Sequence, residues 1–372
     1  YISASFFLTS LRVLNIGFNK LEKLEPAIGF MPQLEMLYMS NNLIQTVPDT
    51  FSQLPLTDMY ISENKLRHIP AAVLKLNGVE KLSLACNELY SLPPALGGMS
   101  SLRFLDVSFN QISTIPPDLA RLTSLTRLNL SFNPLGEFFP IAVTGMVALK
   151  ELNLDFTGLR EVPQEFGKLV NIQSVQMEGN PLATPFNLLY KKNPLLLMQI
   201  FNTEATLLDV SNAGLNVLPS FIGRLTSLMR LDLRNNLLST LPVELGLLTQ
   251  LKDLVLEGNP LETPFDQLRR EPYGDLAVVQ FLHVNIGELD LTGASLVEIP
   301  PLLLRHSTTL TALNLNDNAL KTLPSNFVEM QALRVLLLDN NLLRDFPLQI
   351  CELRNLEVLT LDKNGVTFLP DA

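Results

Sequence analysis

The stretch from Leu102 to Ser124, LRFLDVSFNQISTIPPDLARLTS, constrains the fold most, because its pattern starts again at Leu125. With Φ for an apolar residue, it reads L-x-x-L-x-Φ-x-x-N-x-Φ-x-x-Φ-P-x-x-Φ-x-x-L. Aligned on the first apolar residue, fifteen copies begin at Leu11, Leu34, Leu56, Val79, Leu102, Leu125, Leu149, Ile172, Ala205, Leu228, Leu251, Ile286, Leu310, Leu333 and Leu356. Twelve of the fourteen spacings are 22 to 24 residues; the others are 33 (Ile172 to Ala205) and 35 (Leu251 to Ile286). Self-similarity at this period sets a stacked-repeat architecture before any propensity is considered.

Each copy contains two periodicities. The L-x-L part alternates apolar and polar residues, the period of a half-buried strand. The P-x-x-Φ-x-x-L part has helical spacing, with proline at the start, where a missing N–H does no harm. A unit is therefore strand, turn and short helical segment, and stacked units share the core that none can build alone. Asn19, Asn42, Asn64, Asn87, Asn110 and Asn133 fill one aligned position and are expected to bond the backbone of the turn after each strand. Ile28, Phe51, Val73, Leu96, Leu119, Val143 and Phe166 are the expected core residues of the helical segments.

On these in-phase copies and their aligned asparagines, the chain resembles the leucine-rich repeat family over nearly its whole length. The fold expected is a right-handed α/β solenoid, a horseshoe with a concave parallel β-sheet of about 15 strands, continuous along its length, and short helices on the convex side. Residues 1–372 read as one such domain, part of a longer protein. In it, 1–10 is the tail of a preceding repeat, 11–204 holds repeats 1–8, 205–285 repeats 9–11 and 286–372 repeats 12–15.

The two long spacings are one event duplicated. Glu178-Gly179-Asn180-Pro181-Leu182 matches Glu257-Gly258-Asn259-Pro260-Leu261, both continue to Thr-Pro-Phe, and the following repeats carry Ala213 and Ala294 in place of the aligned Asn. Each insert ends in an apolar run, Leu195 to Phe201 and Leu276 to Leu282, preceded by Pro194 or Pro272, and each run is expected to form a longer convex helix. Inserts of this kind, with the L-P-x-x-Φ tails, resemble intracellular Ras-group leucine-rich repeat proteins, including plant Ras-group-related and Scribble- and Erbin-like scaffolds. That resemblance implies a cytoplasmic signalling scaffold or regulatory domain whose partner is a protein such as a small GTPase or a phosphatase.

Composition narrows the function classes. The formal net charge of −10 argues against nucleic acid or an anionic membrane as partner and suits a protein with a basic contact surface. No apolar run approaches the ~20 residues of a spanning helix. Two cysteines, Cys86 and Cys351, and no cysteine-rich caps favour a reducing compartment. His68, His283 and His306 lie in different repeats without metal spacing, and neither cysteine has a base beside it. No catalytic residue, metal site or cofactor is expected.

What remains is surface. Strand residues between the core positions form columns ~4.8 Å apart. The expected partner site is the concave face of the repeats from Leu102 to Thr157. It comprises Phe109, Phe132 and Phe156 in one column, Phe104, Arg127 and Glu151 in a second, Asp106, Asn129 and Asn153 in a third, and Asp155 at the edge. Aromatic anchors ringed by polar groups make interface hot spots; the competing reading is that the phenylalanines pack on one another. Glu178, Asp209, Asp232, Glu257 and Asp290 further along would steer a basic partner. Two function classes stand: a protein-binding scaffold domain, and a ligand- or pathogen-sensing domain of a larger receptor, kinase or GTPase.

Overall fold

A computed structural model describes residues 8–262, 265–269, 274–283 and 287–369. The chain divides at Asn202/Thr203 into two compact units. The first carries one parallel sheet of eight strands in sequence order: β1 (Val13–Asn15), β2 (Met36–Tyr38), β3 (Asp58–Tyr60), β4 (Lys81–Ser83), β5 (Phe104–Asp106), β6 (Arg127–Asn129), β7 (Glu151–Asn153) and β8 (Ser174–Gln176). The second carries a three-stranded sheet of β9 (Leu207–Asp209), β10 (Arg230–Asp232) and β11 (Asp253–Val255). It also carries a four-stranded sheet of β12 (Glu288–Asp290), β13 (Ala312–Asn314), β14 (Val335–Leu337) and β15 (Val358–Thr360).

Pairing is in register from repeat to repeat: Phe104 faces Arg127, Leu105 faces Leu128 and Asp106 faces Asn129. Equivalent residues therefore line up in columns. The middle residue of each short strand from β2 to β14 enters the core, as Leu37, Leu82, Leu105 and Leu128 do, and its neighbours stand on the other face. The helical segments are single 3-10 turns such as Pro117–Arg121, with Pro at the first position and Leu119 buried. A 3-10 turn spends fewer residues per unit length than an α-helix, which suits a repeat this short. Ile28, Phe51, Val73, Leu96, Val143 and Phe166 are buried as expected. Glycine follows several of them for a steric reason. A Cβ on Gly97 would run into the backbone carbonyl of Asp118, and one on Gly246 into that of Leu282.

The aligned asparagines tie adjacent repeats together. Asn110 Oδ1 accepts the Leu89 N–H of the preceding repeat at 2.9 Å. Its Nδ2 donates to Leu84 O, Val107 O and Ser108 O at 3.0–3.1 Å. Asn42, Asn64, Asn87 and Asn133 repeat this geometry. Where the Asn is missing, the next repeat's Asn takes over. Asn180 Oδ1 accepts the N–H groups of Thr157, Gly158 and Leu159, and Asn236 Oδ1 accepts those of Ala213 and Leu215. Gly158 and Gly214 follow the substituted positions with φ of +88° and +73°, a turn in which glycine carries no Cβ penalty.

Among the described residues the strand count agrees with the repeat count, and the strands pair as three sheets instead of one continuous sheet. Within a sheet, the residue after each strand donates to the next strand, as Leu154 N–H does to Gln176 O. At the inserts a side chain takes that place: Met177 N–H donates to the Tyr190 hydroxyl at 2.9 Å, and Leu256 N–H to Asp275 Oδ2 at 2.6 Å. Asp275 is held by Arg269 Nε at 3.0 Å, with both side chains largely buried. The inserts thus cap strand edges with side chains instead of extending them.

The expectation of one longer helix per insert is also corrected. The first insert forms two helices, α1 (Phe186–Lys192) and α2 (Leu196–Gln199). Asn193-Pro194 separates them, because proline disfavours helical backbone in the residue before it. The longer helix precedes the apolar run, which itself makes a single turn. The second insert forms α3 (Phe265–Leu268) and α4 (Leu276–Leu282), the latter where the apolar run is. Pro272 and Ile286 lie outside the described residues.

Candidate functional site

The three phenylalanines do not sit on the strands. Phe109, Phe132 and Phe156 occupy the turn after β5, β6 and β7, just before the Asn position, with φ of +52° to +53°. Their N–H groups donate to Ser131 O, Asp155 O and Glu178 O of the following repeats. Every repeat passes through this left-handed position, and most fill it with residues that tolerate it. Asn41, Asn212, Asn235 and Asn340 are examples, as are Gly179 and Gly258. A bulky aromatic there is a conformational cost.

The rings stack as a ladder, Phe109 on Phe132 at 4.1 Å and Phe132 on Phe156 at 4.6 Å between centroids. The rings pack on one another, and 49%, 39% and 52% of their respective surfaces remain exposed. The ladder ends where Phe156 lies across Gly179, since a Cβ there would enter the ring. Phe18, in the same column at the first repeat, stands apart and is exposed.

Beside the ladder, the sheet face of β5–β8 carries the other expected residues. Phe104, Arg127, Asn129, Glu151, Asn153, Ser174 and Gln176 line a shallow hollow of about 210 Å³. Arg127 and Glu151 pair across strands at 3.5 Å, both well exposed, a contact worth little to stability. The middle column has an internal task that the sequence reading missed. Asp106 Oδ1 accepts both the N–H and the hydroxyl of Ser108, and Asn129 does the same for Ser131. Asn153 accepts the N–H of Asp155. These are Asx turns that close the strand end. The signal was present as an Asp or Asn two residues before a small polar residue.

The acidic residues separate into two kinds. Asp155 Oδ1 accepts the Glu178 N–H at 2.6 Å, which sets the two carboxylates side by side at the end of β7 and β8. Burial pushes the Asp155 carboxyl up, and the charge of Glu178 adds to this. Tyr190 of the first insert reaches the same edge, its phenol raised by burial with contributions from Asp155 and Glu178. Asp232, in contrast, is buried and bound by Arg234 at 2.6–3.1 Å, which lowers its carboxyl. Its charge is spent on that pair. Asp209 and Asp290 cap Ser211 and Thr292 as Asp106 caps Ser108. Asp209, Asp232, Glu257 and Asp290 all belong to the second unit, away from the phenylalanine repeats along the chain.

No group of three or more His, Cys, Asp or Glu side chains is placed to hold a metal ion among the described residues. No described helix is long and apolar enough to cross a membrane.

Among the described residues, parallel sheets of eight, three and four short strands, 3-10 turns and an asparagine ladder define a class of repeat protein. The leucine-rich repeat model matches residues 9–59, 55–112 and 123–182, a two-copy leucine-rich repeat model matches 100–142, and a further repeat model matches 306–322. Between them they cover 9–182 without a gap and just over half of the chain, and the chain belongs to the leucine-rich repeat family. Proteins of this family are in general binding scaffolds for other proteins. No curated protein sequence matches the chain.

Among solved structures, a leucine-rich repeat protein of Leptospira interrogans is 27% identical over 96% of this chain and 80% of its own, with a TM-score of 0.47. The ectodomain of a plant membrane receptor kinase from Arabidopsis thaliana is 24% identical over 94% of this chain and 44% of its own, with a TM-score of 0.42. An internalin from Listeria monocytogenes is 18% identical over 94% and 86%, with a TM-score of 0.43.

Proposed function

We propose that this chain is the protein-interaction domain of an intracellular signalling scaffold. It captures a folded partner on the repeats from Leu102 to Thr157. The observation that carries the reading is the phenylalanine ladder. Three consecutive repeats accept a bulky aromatic in a left-handed turn that Asn or Gly fills in seven other repeats, and the rings stay about half exposed. Backbone strain kept at a partly exposed surface is the observation from which a functional role is inferred. The rings supply apolar anchors, the hollow over β5–β8 supplies polar contacts, and Asp155 with Glu178 favours a basic contact surface on the partner. A small GTPase or a phosphatase is the partner class that the Ras-group resemblance implies. Two cysteines, both free, suit a reducing compartment.

The test replaces Phe109→Asn together with Phe132→Asn. Asparagine is at home in this turn, so the double variant should keep its circular dichroism spectrum and melting midpoint while losing partner capture from a cytosolic extract. Undiminished capture by the folded variant places the site elsewhere. A collapse of the midpoint makes the phenylalanines structural.

A further inference from the structure

Strand β14 departs from the alternation of apolar and polar residues that marks this chain. Val335-Leu336-Leu337-Leu338 is an unbroken apolar run, the pattern of a strand covered on both faces. Leu336 and Leu338 are fully buried in the core, so Val335 and Leu337 stand on the opposite face, half-buried. The register sets Ala312 and Val358 on either side of Val335, widening the apolar strip across three strands. Other strands place Asp209, Asp232, Asp290 or Asn314 in the column that Leu337 occupies.

The strip borders a cavity of about 900 Å³. Leu276 and Val279 of α4, Glu288 and Asp290 of β12, and Val335 and Leu337 themselves line it. The volume is that of a site for a few side chains or a small ligand. Glu288 and Asp290 are exposed, and no basic side chain is paired with either among the described residues. The charge of the whole unit has the same sign: residues 203–372 hold 21 acidic against 12 basic residues, whereas residues 1–202 hold 16 against 15.

We infer that this face binds a cationic amphipathic segment of another protein, its apolar side chains on Val335 and Leu337 and its Lys or Arg groups against Glu288 and Asp290. The sign of the charge selects the occupant. A second copy of the chain would bring like carboxylates together, and nucleic acid or an anionic bilayer would be repelled. The surface is separate from the phenylalanine ladder, which lies in the other unit.

The experiment titrates the intact protein with a short synthetic peptide alternating Leu and Lys, and with a Leu–Glu peptide of the same length, by isothermal calorimetry. The Leu–Lys peptide should bind and weaken as salt is added, and the Leu–Glu peptide should not bind. Leu337→Asn, a residue type that β13 carries in the same column, should weaken binding by roughly tenfold or more. Glu288→Gln with Asp290→Asn should do the same while keeping the Thr292 turn, because Asn129 shows that Asn can make it. Phe109→Asn with Phe132→Asn should leave peptide binding unchanged, which separates this surface from the proposed partner site. Equal binding of both peptides, or binding indifferent to the β12 and β14 substitutions, overturns the inference. So does a dimer in sedimentation that Leu337→Asn dissolves, since it assigns the strip to a second copy.

Discussion

At the scale of single residues, Asn110 shows how a repeat chain places its few buried polar groups. One side chain serves one N–H and three carbonyls across two repeats, so Asn110→Ala leaves the Leu89 N–H without its acceptor. The expected loss is roughly 1–3 kcal/mol, read from the urea midpoint. Ala213 occurs naturally at this position, and the structure explains why: Gly214 follows it in a left-handed turn, and Asn236 accepts both N–H groups. Gln111→Gly added to Asn110→Ala should therefore recover part of the loss, and a double variant no more stable than the single one refutes the explanation. Asp155 makes a second case. Its folded pKa is raised, so its ionisation works against the fold, and this cost grows as pH rises from the unfolded carboxylate pKa through the folded one. Asp155→Asn keeps the acceptor for the Glu178 N–H and removes the charge. Its melting midpoint should exceed that of the parent at pH 7, and the gain should shrink as pH is lowered through the carboxylate range. Under the proposed function, the same change weakens the basic partner.

Among the elements, the inserts have the clearest consequence. Tyr190 and Asp275 come from different repeats, one a phenol and the other a carboxylate, yet each accepts the N–H that leaves the end of a strand. Tyr190→Phe should leave the Met177 amide unpaired and speed its hydrogen exchange relative to the Leu154 amide, which is bonded to Gln176 O. Asp275→Ala should cost the second unit more, because Arg269 also loses its partner in a largely buried setting. Equal exchange protection at Met177 in parent and variant would show that the phenol is incidental there. The helices of the inserts were only partly legible beforehand. Apolar runs locate buried segments without telling which side of a proline carries the regular turn, and Asn193-Pro194 put it before the run in the first insert.

For the molecule as a whole, nearest-neighbour stacking has a direct test. Each regular repeat bonds only to the repeats beside it, and β4 pairs with β5 in the same register as β5 with β6. Deleting Leu102 to Ser124 should let β4 pair with β6 and leave a folded chain with an unchanged circular dichroism shape, although partner capture falls with the loss of Phe109. Loss of cooperative unfolding would mean that this repeat supplies something its neighbours cannot. The candidate site was legible in part. Phe109, Phe132 and Phe156 could be aligned in one column from spacing alone, but their backbone conformation and stacking could not. Nor could the commitments of Asp106, Asn129 and Asp232 to the chain's own N–H groups and to Arg234 be read from a column of polar letters.

Sequence alone determined the repeat, the strand count, the asparagine ladder and the identity of the core, because all of these follow from which residue types recur at which interval. Tertiary structure decided where the sheet stops, since that depends on whether a distant side chain such as Tyr190 or Asp275 reaches a strand edge before another strand does. It also decided which charges remain available to a partner. Asp155 and Asp232 are the same residue type in neighbouring columns, and only their folded surroundings, burial with Glu178 beside it for one and the Arg234 guanidinium for the other, raise one carboxyl and lower the other.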